Sequence, residues 1–111
     1  MNDTYALTEA VYYILLSLWT PRHGYGIMQE AERLSGGRVR LAAGTLYGAL
    51  NSLLGKGLIE AVAGGDDSRR KDYALTNAGR RALRAEYERL RRLVANGEEV
   101  LGGENGNELY E

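Results

Sequence analysis

One segment of this sequence has the pattern of a helix that is apolar on nearly every side, which limits the folds that the chain can adopt. Apolar side chains recur at helical spacing between Leu7 and Trp19, and Tyr12 and Leu16 extend them onto a second face. A helix of this kind has to be buried on more than one side. In a chain of 111 residues, the length of one domain, the second side is often covered by a partner subunit. The longest apolar run, residues 11–19 (VYYILLSLW), is too short to span a bilayer, so we expect a soluble cytoplasmic protein.

The remaining segments follow this helix in a diagnostic order. Their patterns predict three more helices, over residues 25–34, 44–54 and 77–95, and two strands, over residues 58–63 and 72–75. Glycines are placed to stop the second and third helices, and Thr76 is a suitable N-cap for the last one. Three helices, a hairpin and a fourth helix make up a winged helix-turn-helix. The predicted fold class is therefore mainly α with a small β-hairpin.

Charge is unevenly distributed along the chain although its net charge is only −1. Residues 1–37 carry a net charge of −2, residues 38–95 a net charge of +6, and residues 96–111 a net charge of −5. We expect a DNA-binding and dimerisation domain over residues 1–96, followed by a disordered, acidic, glycine-rich tail, residues 97–111. The chain has no cysteine, and neither a carboxylate pair nor a metal-binding cluster stands out. We therefore expect no enzyme activity, no cofactor and no metal.

The third predicted helix has two unlike sides. Its apolar residues share one arc, whereas the opposite arc carries no charge and consists of Gly44, Tyr47, Gly48, Asn51, Ser52 and Gly55. Glycine inside a helix costs roughly 1 kcal/mol relative to alanine, so exposed glycines suggest a closely approaching partner such as the DNA major groove. Asn51 suits an adenine edge, while Tyr47 or Thr45 suits a phosphate or a thymine methyl group. The helix N-terminus at Gly44 favours a phosphate. A loosely built exposed helix is the alternative.

A basic triplet follows the predicted turn of the hairpin. Arg69, Arg70 and Lys71 stand where a wing would meet the DNA backbone or the minor groove. Such a triplet is more often a solvated surface, and its position in the predicted fold is what favours a role in binding. Tyr25 and Arg40 complete the candidate DNA contacts.

Three segments resemble the PadR-type transcriptional regulators, and they occur in the family's order. They are HGYGIMQE at residues 23–30, GTLYGAL at residues 44–50 with GLI at residues 57–59, and RRKDYALTNAGR at residues 69–80. The resemblance, which is to the compact members, implies a dimer formed through the last helix with help from the first. It implies binding to a palindromic operator, usually as a repressor, and release by a small aromatic or hydrophobic molecule. By position, Tyr47 and its neighbours look like DNA contacts, together with the basic triplet.

The sequence departs from the family's pattern at four positions. Asp72 and Ala74 stand where the family more often has aromatic or basic residues, so the wing contributes less attraction for phosphate. Ala43 replaces a common proline. Gly55 replaces a charged residue, which loosens the end of the third helix.

The last helix carries an apolar seam of two heptads. Its members are Leu83, Tyr87, Leu90 and Val94. We favour a homodimer interface over an intramolecular core for this seam. Four aromatic or apolar residues could line an effector pocket, with a packed interface as the alternative: Tyr12, Leu16, Trp19 and Tyr87. The rival hypothesis for the whole chain is a winged-helix module that contacts another protein and does not bind DNA.

Overall fold

The chain folds into four helices and a small antiparallel sheet. The computed structural model describes residues 6–63 and 71–102. The elements are α1 (Glu9–Ser17), β1 (Arg22–His23), α2 (Gly24–Leu34), α3 (Ala43–Gly55), β2 (Ile59–Ala63), β3 (Lys71–Leu75) and α4 (Asn77–Leu101). This confirms the predicted fold class. None of the described helices has the length and apolar character that a membrane crossing requires.

Local chemistry accounts for where the helices begin and end. The side chains of Thr8 and Thr76 each accept a hydrogen bond from the backbone N–H three residues further on, at 3.1 and 3.0 Å, and so cap α1 and α4. The glycines after α2 and α3 adopt positive φ angles, 65° at Gly36, 86° at Gly37 and 74° at Gly57. Glycine takes up this left-handed backbone without strain, so the predicted stop signals are the observed ones.

One hydrophobic core unites all four helices with the sheet. Its buried members are Ile14, Leu15, Leu18, Ile27, Leu46, Leu50, Leu53, Ile59, Tyr73, Leu75 and Leu83. The side chain of Leu83 is only 5% exposed, so this residue of the predicted dimer seam belongs instead to the core of its own subunit. The part of the seam that remains on the surface consists of Tyr87, Leu90 and Val94, which we call the α4 seam.

The sheet has one strand more than the predicted hairpin. β3 lies in the middle, paired with β2 on one side and with β1 on the other. In the second pairing Arg22 faces Tyr73, and His23 faces Asp72. His23 is also the residue directly before α2. The added strand fixes the start of α2 to the wing strands.

The last helix extends six residues beyond its predicted end at Ala95. It includes Gly97 and reaches Leu101, so residues 97–101 are helical and were wrongly assigned to the disordered tail. Gly102 caps the end of α4, and residues 103–111 of that tail lie outside the described residues. Along this end of the helix the apolar side chains are exposed, 63% at Val94 and 72% at Val100.

Replacing Gly79 by alanine is expected to lower the free energy of unfolding by about 1–3 kcal/mol, the usual cost of overpacking. An added Cβ at this buried position would stand inside contact distance of the backbone carbonyl of Leu58, which cannot move aside as a side chain can. Urea denaturation followed by circular dichroism measures the effect. Gly55→Ala is the control, because its methyl group meets open space. Equal stability of Gly79→Ala and the unmodified chain would contradict the close packing of α4 on the backbone of Leu58, the residue before β2.

Candidate nucleic-acid interface

The two predicted sides of α3 are present in the structure. Leu46 and Leu50 are fully buried, and Leu53 is 3% exposed. All the α3 residues predicted to contact DNA are exposed, namely Gly44, Thr45, Tyr47, Gly48 and Asn51. α3 therefore presents an uncharged surface, with a hydroxyl, a phenol and two glycines in its N-terminal half and the amide of Asn51 one turn beyond Tyr47.

Nothing in the described part of the chain requires glycine on this surface. A Cβ added at Gly44 or at Gly48 would meet no atom within 4 Å. Neither residue has a positive φ angle, so backbone conformation does not require glycine either. Both glycines weaken the helix at exposed positions, where the lack of a side chain leaves room for a closely fitting partner.

Tyr47 joins this surface to the start of α2. Its ring packs over Gly24, where an added Cβ would collide with the phenol oxygen. Tyr25, the next residue, is 60% exposed, and Tyr47 is 45% exposed. Tyr25 and Tyr47, predicted contacts from different helices, are thus both exposed, and Tyr47 packs on the residue that precedes Tyr25.

The helices that begin at this surface lack side-chain caps. His23 precedes α2 and Ala42 precedes α3, and in the described structure neither side chain caps its helix. By contrast, Thr8 and Thr76 cap the two helices that begin elsewhere. Neither α2 nor α3 has an acidic residue in its first turn. The first N–H groups of both helices, which carry partial positive charge, are therefore suited to donate hydrogen bonds to an anion such as phosphate. The sequence predicted an anion site at the start of α3 and none at the start of α2.

The predicted basic contacts fall into two groups. Lys71 is exposed at the first position of β3, opposite Ala63 of β2. Arg69 and Arg70 lie outside the described residues. Arg40 is exposed in the connection between α2 and α3, and its Nε lies 3.6 Å from the carboxylate of Glu32. An exposed ion pair of this kind is worth little, so Arg40 is able to exchange Glu32 for a phosphate.

Strand β3 of the wing carries an acidic side chain directly after Lys71 in the sequence. Asp72 is half-buried in the central strand β3, where it faces His23 on one side and Val62 on the other. Asp72 directly follows Lys71 in β3, and neighbouring residues of a strand point to opposite faces of the sheet.

The four residues predicted for an effector pocket line a single cavity. Tyr12, Leu16, Trp19 and Tyr87 share it with Leu83 and Arg84, and its volume is about 160 Å³. Two guanidinium groups cover aromatic rings at this surface, Arg80 over Trp19 at 4.2 Å and Arg91 over Tyr87 at 5.8 Å. The cavity adjoins the α4 seam, because Tyr87 belongs to both. The surface predicted to bind an effector is therefore continuous with the surface predicted to form the dimer.

A buried carboxylate on α4 was not predicted from the sequence. Glu86 is 3% exposed, and its two oxygens bind the guanidinium of Arg89 at 2.8 and 2.6 Å. It also accepts a hydrogen bond from the backbone N–H of Leu7 at 3.3 Å. The hydrogen bond from Arg89 lowers the pKa of Glu86. Glu86 therefore fastens the segment before α1 to α4. The only signal in the sequence was the i,i+3 spacing of an acid and a base.

The fold and this surface define a class of protein. A winged helix-turn-helix consists of three helices and a sheet, and here the β2–β3 hairpin of the sheet forms the wing. The exposed face of α3 is uncharged. The model of the family described as "Transcriptional regulator PadR-like family" matches residues 13–85. The chain belongs to this family, which confirms the resemblance. Family members are transcriptional regulators and not enzymes.

Solved structures support the same assignment. H. salinarum RosR is 31% identical with a TM-score of 0.60, and the match covers 89% of this chain and 100% of that one. A PadR family transcription regulator from Clostridium difficile R20291 is 25% identical with a TM-score of 0.65, covering 82% and 97% of the two chains. A PadR-like transcription factor from Bacteroides fragilis is 28% identical with a TM-score of 0.64, covering 81% and 87%. Comparison with curated protein sequences gives no match.

Proposed function

We propose that this regulator binds a specific double-stranded DNA site through α3, in the cytoplasm, and acts as a repressor. The observation that carries this proposal is the exposed surface at the N-termini of α2 and α3. It combines side chains able to bind base edges with two glycines and two uncapped helix N-termini. In helix-turn-helix proteins the N-terminal residues of the second helix contact base edges in the major groove. Lys71, with Arg69 and Arg70 as expected from the sequence, contacts the backbone from the wing.

The proposed functional unit is a homodimer on a palindromic site. Tyr87 is 44% exposed and Val94 63% exposed, so the α4 seam has no partner within the described structure. A two-fold dimer covers the same seam on both subunits and presents two α3 helices to two half-sites. The 160 Å³ cavity beside the seam is below the range of about 300–1,000 Å³ usual for small-molecule sites, which favours a packed interface there. As the family resemblance implies, we also propose release from DNA by a small hydrophobic effector.

Selection from a random duplex DNA library, using the full-length protein, tests the proposal. We expect an enriched, two-fold symmetric site with half-sites about 10 base pairs apart, one helical turn of DNA. A bound but unenriched pool would mean affinity for the backbone alone. Failure to bind any duplex at low salt would favour the rival hypothesis, in which α3 contacts another protein.

Asn51→Ala and Tyr47→Ala are expected to relax sequence preference at one or two positions of the selected site. Each lost base contact costs about 1–3 kcal/mol of discrimination, or about fivefold to a hundredfold in relative affinity. Arg70→Ala is instead expected to weaken binding to all duplexes about equally and to reduce its salt dependence. Fluorescence anisotropy on the selected site and on variants of it measures both effects. Asn96→Ala, which removes an exposed amide from α4, is the control. Uniform loss on every sequence in the Asn51 and Tyr47 variants would argue against base recognition by α3.

A further inference from the structure

A row of basic side chains runs along the N-terminal half of α4. Five arginines of this helix are exposed and, at about 100° per residue, lie within one arc of about 120° around its axis. We call them the α4 stripe: Arg80, Arg81, Arg84, Arg91 and Arg92. The one acid on this arc within the same span is Glu88, whose carboxylate lies 3.9 Å from Arg91. The stripe therefore carries an excess of positive charge.

The described part of the chain supplies no other carboxylate to the stripe. Arg81, Arg84 and Arg92 form no ion pair within the described residues. Arg80 lies over the ring of Trp19 at 4.2 Å, and a guanidinium that stacks on a ring still presents N–H groups at its edge. The stripe thus offers donors and charge to an anionic partner.

The stripe is separate from the surfaces proposed for DNA and for the dimer. Lys71 begins β3 at the wing, whereas α4 follows the other end of this strand, about 13 Å away. Around the helix axis the stripe is centred about 110° from the α4 seam, so a dimer formed on the seam leaves most of it exposed. Its partner is therefore neither the operator nor the seam of a second subunit.

The chain itself contains a segment of the opposite charge. Residues 103–111 (GENGNELYE), which we call the acidic segment, follow α4 directly and contain three acids and no base. Glu108 and Glu111 are separated by about 10 Å in an extended chain. Arg91 and Arg84 are also separated by about 10 Å along the helix axis. The two sets of charges therefore have matching spacing.

The acidic segment is long enough to reach the stripe. Along the helix axis Arg91 lies about 17 Å and Arg84 about 27 Å from residue 102. An extended chain spans about 20 Å from residue 102 to Glu108 and about 30 Å to Glu111. Both acids therefore reach an arginine when the segment turns back along α4. A tether this short gives an effective concentration on the order of millimolar, which favours this segment over free anions.

We propose that the acidic segment docks on the α4 stripe of its own chain and runs antiparallel to α4. Glu108 then pairs with Arg91 and Arg92, and Glu111 pairs with Arg84. A docked segment shields the stripe from other polyanions, so that the charge open to DNA is that of α3 and the wing. This consequence for DNA rests on the proposed function, whereas the docking itself does not.

Disulfide trapping tests the docking in the full chain, which has no cysteine of its own. Tyr110→Cys, between the two acids, is combined with Glu88→Cys, between Arg91 and Arg84. Equilibration with glutathione then gives the effective concentration of the two thiols. The control combines Tyr110→Cys with Asn96→Cys, an exposed position about 12 Å nearer to the start of the acidic segment. We expect an effective concentration at position 88 about tenfold or more above that at position 96, whereas an undocked segment meets position 96 more often.

Charge reversal on the stripe provides the second arm of this test. Arg84→Glu with Arg91→Glu is expected to remove the preference for position 88. About 1 M salt is expected to do the same, since it shortens the screening length to about 3 Å. Lys56→Glu, an exposed charge change on another helix, is the control and should leave the preference intact. Equal trapping at positions 88 and 96 in the unreversed chain would overturn the proposal. A disulfide found only between two chains, by mass spectrometry, would also overturn it.

Binding of heparin, a polyanion, measures the shielding without relying on the proposed function. Glu108→Gln with Glu111→Gln is expected to raise heparin affinity about threefold to tenfold, the range of one or two exposed charges. The same two substitutions are expected to have no effect in a chain that also carries Arg84→Gln and Arg91→Gln. An equal gain in both backgrounds would overturn the shielding, because it would then be a general effect of net charge.

Duplex selection keeps the docking and the proposed function apart. Trapping in the expected pattern by a chain that binds no duplex would support the docking and refute the proposed function. An enriched duplex with no preference for position 88 would refute the docking alone. Weaker operator binding by Arg84→Gln with Arg91→Gln, together with heparin affinity that does not respond to the acidic segment, would assign the stripe to DNA and overturn the proposal.

Discussion

Replacing Gly48 by alanine is expected to make the folded chain more stable and, at the same time, a weaker binder of DNA. The added methyl group meets no atom within 4 Å, so the helix gains up to about 1 kcal/mol from the better propensity of alanine. At a close interface the same group overpacks at a cost of about 1–3 kcal/mol, or about fivefold to a hundredfold in affinity. Urea denaturation measures the first effect, and anisotropy with the selected duplex measures the second.

Gly55→Ala is the matched control for this result. Gly55 lies on the same arc of α3 two turns further on, about 10 Å along the helix axis, and its added methyl group also meets open space. It is therefore expected to stabilise the chain without weakening DNA binding. Gly44→Ala, at the N-terminal end, should behave like Gly48→Ala. If alanine at position 48 raised stability and left DNA affinity unchanged, the exposed glycines would not mark a close contact with DNA.

The parts of the fold that the sequence predicts are those with a local chemical cause. Thr76 caps α4 through its own hydroxyl, and Gly57 stops α3 because it accepts a positive φ. The two arcs of α3 follow from 3.6-residue periodicity alone. These signals act within a few residues, so one sequence is sufficient to locate them.

Two features of the fold depend on longer-range or cumulative effects. β1 consists only of Arg22–His23, too short for any alternation to show, and it exists because β3 offers it a free edge. α4 continues through Gly97 because a single glycine costs only about 1 kcal/mol, and the residues that follow it can continue the helix. The acidic composition after Ala95 suggested a tail, but composition alone does not end a helix.

The candidate site shows the same division between local and distant causes. Exposure of Asn51 and Tyr47 followed from the helical wheel. A heptad pattern, however, indicates which residues are buried and not which subunit covers them. Leu83 was therefore predicted to contact a second subunit, whereas it packs in the core of its own. A cavity of about 640 Å³ lies between the start of α1, the C-terminal half of α3 and α4, which are distant in sequence, and no spacing along the chain indicates it.

Val94→Asp is expected to convert the proposed dimer into a folded monomer and to abolish tight operator binding. The seam faces itself in a two-fold dimer, so a single substitution places two like charges near each other in an apolar interface, at a cost of several kcal/mol. That cost is on the order of a hundredfold or more in the dissociation constant of the dimer. The fold should survive, because Val94 is 63% exposed and lies outside the core. Sedimentation velocity measures the subunit mass, and anisotropy measures the loss of DNA binding.

Asn96→Asp adds the same charge to an exposed position on the opposite side of α4, and it should leave the protein a dimer. The monomeric Val94→Asp variant should still contact one half-site, with the weak affinity of a single α3 helix. Two subunits on one site gain a high effective concentration for the second contact, so dimerisation raises overall affinity by about a hundredfold or more. A Val94→Asp protein that stays dimeric and binds the operator fully would place the dimer interface elsewhere. The surface of α1 that carries Tyr12 and Leu16 would then be the next one to change.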